Sequence, residues 1–137
     1  MNQTLASPWA SRMLSILRIV VAFLFFAHGM QKIFGYPPAD HPMGPMNFAT
    51  IQGIAALLEF GGGLLMFFGL LTRPVAFILA GEMAVAYFMQ HAPHGFWPIV
   101  NKGELAVLYC FVFLFFAAAG AGAWSLDALF FGKRTMD

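Results

Sequence analysis

The strongest constraint on this chain is a set of four apolar runs, each about as long as a bilayer is thick and each carrying only a few charged side chains. Residues 14–33 form the first run, residues 50–71 the second, residues 74–92 the third and residues 104–122 the fourth. At about 1.5 Å of rise per residue, some 20 helical residues cross the roughly 30 Å of hydrocarbon. The connections are of a different composition. Residues 36–47 hold four prolines and a glycine, all unfavourable inside a helix, so this Pro/His/Met segment reads as a loop. Leu71-Thr72-Arg73-Pro74 reads as a tight hairpin, with Pro74 tolerated in the first turn of the next helix. Pro93, Gly95 and Pro98 mark the exit of the third run, and Ser125 is placed to cap a short terminal helix reaching Phe131.

Composition agrees with this pattern. Of the 137 residues, 61% are hydrophobic and 9% charged, against roughly 25% charged in a soluble domain. A core of this size cannot hide so much apolar surface, so much of it should face lipid. Seven basic and six acidic side chains form no stripe suited to nucleic acid. Cys110 is the only cysteine, which excludes a dithiol mechanism carried by this chain alone and leaves a thiol in an apolar stretch. Arg12, Arg18, Arg73, Lys133 and Arg134 fall on one face of the layout, against Lys32 and Lys102 on the other. The positive-inside rule then puts both termini in the cytoplasm, and Trp9, Tyr36, Trp97 and Trp124 sit near span ends as interfacial aromatics do. The fold class expected is all-α: one integral membrane four-helix bundle occupying residues 1–137.

Within the spans, the polar groups carry the chemistry. Arg18, His28 and Lys32 fall within an arc of the first helix, Glu59 lies in the middle of a small-residue face of the second, and Glu82 lies near the centre of the third. A charge facing acyl chains costs about 2.5–3.5 kcal/mol on insertion scales. The bundle interior is therefore expected to gather Arg18, His28, Lys32, Glu59 and Glu82, continuing outward to Gln90, His91, Asn101 and Glu104. An internal ion-pair network that only fixes packing would account for the same residues. His41, His91 and His94, with Met43 and Met46, carry no firm metal pattern because Pro93 breaks the helical register, and Gly61-Gly62-Gly63 lacks the lysine of a phosphate loop.

His28-Gly29-x-x-Lys32, Glu59-x-Gly61-Gly62 with Gly69, and Gly120-x-Gly122-x-x-Ser125-Leu126-Asp127 together resemble the DoxX family of small bacterial membrane proteins. The resemblance covers nearly the whole chain. It implies a multi-pass protein of the bacterial inner membrane, and polar positions at Arg18, His28, Lys32, Glu59, Glu82, His91 and Glu104. The family name comes from a subunit of a thiosulfate:quinone oxidoreductase, and other members are linked to thiol or oxidative stress. By that resemblance the chain would be a quinone-linked oxidoreductase subunit. Glu59 and Glu82 would move protons, and Arg18, His28, Lys32, His91 and Glu104 would contact the ligand. Electrons would come from a soluble oxidoreductase partner. No haem, flavin or metal is expected, and homo-oligomerisation is compatible with the pattern. Two other classes remain open: a small proton- or ion-coupled transporter, and a non-catalytic membrane scaffold for soluble oxidoreductases.

Overall fold

A computed structural model describes residues 7–41 and 44–132. Lys133 and Arg134 of the charge asymmetry, and Met43 of the proline-rich loop, lie outside the described residues. The described residues contain helices and no strands. In order these are α1 (Pro8–Phe34), α2 (Ile51–Phe68), α3 (Thr72–Ala86), α4 (Pro98–Asn101), α5 (Glu104–Ala119) and α6 (Leu126–Phe131). The chain divides into two compact units, one holding α1, α2 and α6, the other Arg73–Gly120.

Three helical segments are long and apolar enough to cross a membrane: Pro8–Phe34, Ile51–Phe68 and Thr72–His94. Between 22% and 28% of each apolar window is buried, and side chains such as Phe23, Phe77 and Phe111 are exposed. Apolar surface of this extent belongs against lipid or another protein. The fourth run is shorter than its hydropathy implies. Gly120, at φ 87° and ψ −164°, ends α5 at Ala119 rather than at 122. Sixteen residues span about 24 Å, short of the full hydrocarbon core. The first run is longer than expected, because Ser7 caps it, accepting from Trp9 and Ala10 N–H, and Pro8 stands at its first position. Past Ala86, α3 continues as a π turn (Tyr87–His91) and a 3₁₀ turn (Ala92–His94). Pro93 has no N–H to return to the previous turn, and Ala92 N–H bonds Tyr87 O instead.

In the first unit, α1 buries Ser15, Arg18, Ala22, Phe25 and Gly29, an alternation of three and four residues that keeps one seam in register. The facing seam of α2 is Gly53, Ala56, Glu59, Gly63 and Met66. Glycine sets the distance between the two helices. A Cβ on Gly29 would lie 2.5 Å from Phe60 N and 2.9 Å from the Glu59 carbonyl carbon, and one on Gly63 would lie 2.9 Å from Phe26 Cβ. Gly29→Ala should therefore destabilise the protein by about 1–3 kcal/mol, the usual range for overpacking. Gly61, whose Cβ position is open, is the control: Gly61→Ala should be neutral or slightly stabilising. Detergent-induced unfolding of the two variants checks this. Equal stability would mean that the close approach is not needed.

The other end of this unit is closed by polar bonds. Arg18 is 1% exposed. It donates to three backbone carbonyls: Ala121 O, Trp124 O at 2.8 Å and Phe67 O at 3.3 Å. Ser15 Oγ accepts from Trp124 N–H at 3.0 Å, and Ser125 Oγ caps α6 by accepting from Ala128 N–H, as its position in the sequence implies. The Asp127 carboxylate accepts from Leu71 N–H at 2.7 Å and Thr72 N–H at 2.9 Å, satisfying donors left free at the start of α3.

In the second unit, Arg73 donates to Ala118 O at 2.7 Å, a cation on one of the last carbonyls of α5. Tyr87, Asn101 and Gly103 make the opposite end of this unit rigid. Asn101 Nδ2 donates to Tyr87 Oη at 3.2 Å and to Gly95 O at 2.9 Å, and its Oδ1 accepts from Gly103 N–H at 2.8 Å.

Candidate functional site

The best-formed ionic site lies where α1 and α2 meet on either side of Gly29. Because Gly29 lets α1 rest on the Glu59–Phe60 backbone, Lys32, one turn further along, reaches the carboxylate directly. Lys32 Nζ donates to Glu59 Oε1 at 2.7 Å. The two side chains differ in environment, with Glu59 6% exposed and Lys32 30%. The second carboxylate oxygen, Oε2, is shielded from solvent and has no hydrogen-bond partner among the described residues.

The exposed part of Lys32 faces a cleft of about 310 Å³. Lys32, Phe34 and Gly35 form one side of it, and Pro38, Pro45 and Met46 of the proline-rich segment form the other. Gln31 Nε2 donates to Pro37 O at 3.1 Å and ties that segment to α1. Phe60 meets Phe34 edge-on and Phe26 at a tilt, with ring centroids 5.6 Å apart for Phe34–Phe60 and 4.9 Å for Phe26–Phe60. The recess thus presents the Lys32 cation and the exposed Phe34 side chain, while the shielded Glu59 carboxylate holds Lys32 from outside the cleft lining. Such a set can donate a hydrogen bond to a ligand oxygen, hold a proton, and stack on a flat ring.

The sequence-expected residues do not all meet there. Arg18 precedes Lys32 by fourteen residues, which is about 21 Å along the helix, and its two terminal nitrogens donate to the three carbonyls already described, leaving Nε without a partner among the described residues. His28 lies on the exposed side of α1, one position off the seam that holds Gly29. Glu82 is partly buried on α3, with both carboxylate oxygens shielded from solvent. His91 shares a hydrogen bond through Nδ1 with Asn101 O at 3.0 Å and stacks on Tyr87. His94 Nδ1 pairs with Gln90 O at 3.1 Å. Glu104 is exposed in the first turn of α5. Two functional contacts escape a reading of the sequence alone: the carbonyl cage around Arg18 and the reach of Asp127 to the start of α3. The Gly120 to Asp127 motif was their visible signal.

These features define a small, all-helical, multi-pass membrane protein with an ion pair buried between two of its spans. A model of the DoxX family matches residues 13–92, and the chain belongs to that family. An uncharacterized protein of Haemophilus influenzae is 45% identical, over 88% of this chain and 92% of its own length. The inner membrane protein YqjF of Escherichia coli is 34% identical, over 83% of this chain and 88% of its own. CatD of Bacillus subtilis, whose name carries a provisional oxidoreductase assignment, is 27% identical over 87% and 88%. No solved structure matches the chain. The protein is accordingly a multi-pass component of the cytoplasmic membrane.

Proposed function

We propose that this protein is the ligand-binding membrane component of a redox system and that it takes a quinone in the cleft bordered by Lys32 and Phe34. In this reading α1, α2, α3 and α5 all cross the bilayer with both termini in the cytoplasm, and the short α5 is accommodated by local thinning of the lipid. One observation carries the proposal: the Lys32 ammonium, held at 2.7 Å by Glu59, sits at the edge of a recess lined by the exposed Phe34 ring. A quinone has two carbonyl acceptors on a flat ring, and these residues fit it. Lys32 donates to a carbonyl oxygen, and Phe34 offers a face for stacking.

A bound quinone supplies a two-electron acceptor that takes up two protons on becoming the quinol. The electrons come from a soluble two-electron donor, an oxidoreductase partner. Glu59 positions the Lys32 ammonium at the cleft, and its unpartnered Oε2 offers the proposed proton path an acceptor behind that ion pair. The cytoplasmic-membrane setting and the oxidoreductase assignment of CatD support a redox reading over a transporter.

The test is titration of a short-chain benzoquinone into the protein in lipid nanodiscs. Saturable binding is expected, weakened about ten- to a hundredfold in Lys32→Met/Glu59→Gln, because a hydrogen bond from a charged donor contributes about 1.5–3 kcal/mol. Wild-type affinity in that double variant, or no saturable binding to the native protein, would overturn the proposal.

A further inference from the structure

A second recess, in the Arg73–Gly120 unit, is independent of the Lys32 cleft. It has a volume of about 380 Å³ and is lined by Pro98, Ile99, Lys102, Glu104, Leu105 and Leu108, within the roughly 300–1,000 Å³ of small-molecule sites. Its composition is divided. Ile99, Leu105 and Leu108 are exposed and apolar, whereas Lys102 and Glu104 bring one positive and one negative charge. Neither charged side chain makes an ion pair with any described residue. The recess opens at the start of α5, beside Phe96 at 83% and Trp97 at 65% exposure, aromatics of the kind that mark headgroup level.

Lys102 is held in an unusual way. It has φ 62° and ψ 22°, the left-handed region that a residue with a Cβ rarely adopts. Gly103, which could take that conformation freely, follows it and lies against the Tyr87 ring, where a Cβ would come within 2.6 Å of Cε2. Asn101 on the other side is buried and fixed by its bonds to Tyr87, Gly95 and Gly103. Both neighbours of Lys102 are therefore immobilised while its own side chain is exposed. The left-handed turn is the C-cap of α4, its N–H donating to Pro98 O, and it fixes the Lys102 backbone at the rim of the recess.

We propose that this recess binds a phospholipid with a zwitterionic amine headgroup, phosphatidylethanolamine. Lys102 pairs with the lipid phosphate, Glu104 accepts from the primary ammonium, and an acyl chain lies along Ile99, Leu105 and Leu108. Glu104 is what selects the amine. A purely anionic headgroup would meet a carboxylate where its glycerol sits, so phosphatidylglycerol should be held less well.

Native mass spectrometry of the full chain, released from nanodiscs of equal phosphatidylethanolamine and phosphatidylglycerol, tests this. The native protein should retain phosphatidylethanolamine in preference. Glu104→Gln should erase that preference by about two- to fivefold, the effect of an exposed charge pair, and Lys102→Met should weaken retention of both lipids. Both side chains are exposed, so thermal unfolding should be unchanged and confirms that the variants fold. Lys32→Met/Glu59→Gln should keep the lipid preference, which separates this site from the quinone cleft. Equal retention of the two lipids by the native protein, a preference for phosphatidylglycerol, or a preference that survives both substitutions would overturn the assignment.

Discussion

Lys32→Met should destabilise the protein by about 2–4 kcal/mol, below the roughly 3–5 kcal/mol of a fully buried ion pair because Lys32 is itself 30% exposed. The cause is the residue left behind. Glu59 would keep its carboxylate between α1 and α2 with neither oxygen paired, since Oε2 already has no partner among the described residues. Adding Glu59→Gln to Lys32→Met removes the orphaned charge and should recover most of the loss. Replacing both members of a buried pair is often nearly neutral. Unfolding free energies in mixed micelles compare the two variants with the native protein. Full recovery together with lost quinone binding separates the ligand role of the pair from its packing role, whereas an unaffected single variant would mean that Glu59 finds solvent or another cation.

Much of this site was legible in the sequence and some of it was not, for reasons that differ from residue to residue. Hydropathy located the spans because each is exposed on most of its surface, so its composition directly reflects the lipid. Helical periodicity put Lys32 and Glu59 on inward faces, and the glycines beside them announced a close approach. The arc drawn around Arg18 and Lys32 was too wide, however. A strict alternation of three and four residues excludes His28, one position before Gly29, and the structure leaves it exposed. The resemblance to the DoxX family places Arg18 among the ligand-contacting residues. The partners of Arg18 are backbone carbonyls 49, 103 and 106 positions away, and no side-chain pattern encodes these. Helix ends were the least legible feature. Pro93 signalled an exit from α3, but the π turn before it depends on which carbonyl Ala92 N–H finds.

Arg18→Met is the second substitution with a large expected effect. The guanidinium joins the last turn of α2 to the Ala121–Trp124 turn, and methionine fills similar space without a donor. One buried and two part-buried acceptors would lose their donor at about 1–3 kcal/mol when buried and less when part-buried, giving a loss on the order of 3–6 kcal/mol. Arg18→Lys should restore only part of this, because an ammonium cannot reproduce the fixed fork that serves three carbonyls at once. Gly69, with φ 69° and its hydrogens against the guanidinium, leaves no room for a larger replacement. Unfolding free energies report the loss, and quinone affinity per folded molecule should not change. A drop in affinity with native stability would instead make Arg18 part of the ligand site.

The two results divide the labour along α1. One end anchors the helix through backbone carbonyls, and the other presents the Lys32 cation to a recess and to the Glu59 carboxylate of α2. The glycine seam between them fixes the spacing on which the second end depends.

Solid-state NMR in lipid bilayers can measure the contact on which the proposed ligand site rests. With ¹⁵N on Lys32 Nζ and ¹³C on the Glu59 carboxyl, dipolar dephasing should be strong, as a donor–acceptor distance of 2.7 Å requires. It should vanish in Lys32→Met and change when the benzoquinone is added. No measurable dephasing in the native protein would mean that the pair does not form in the membrane, and the proposed ligand site would have no foundation.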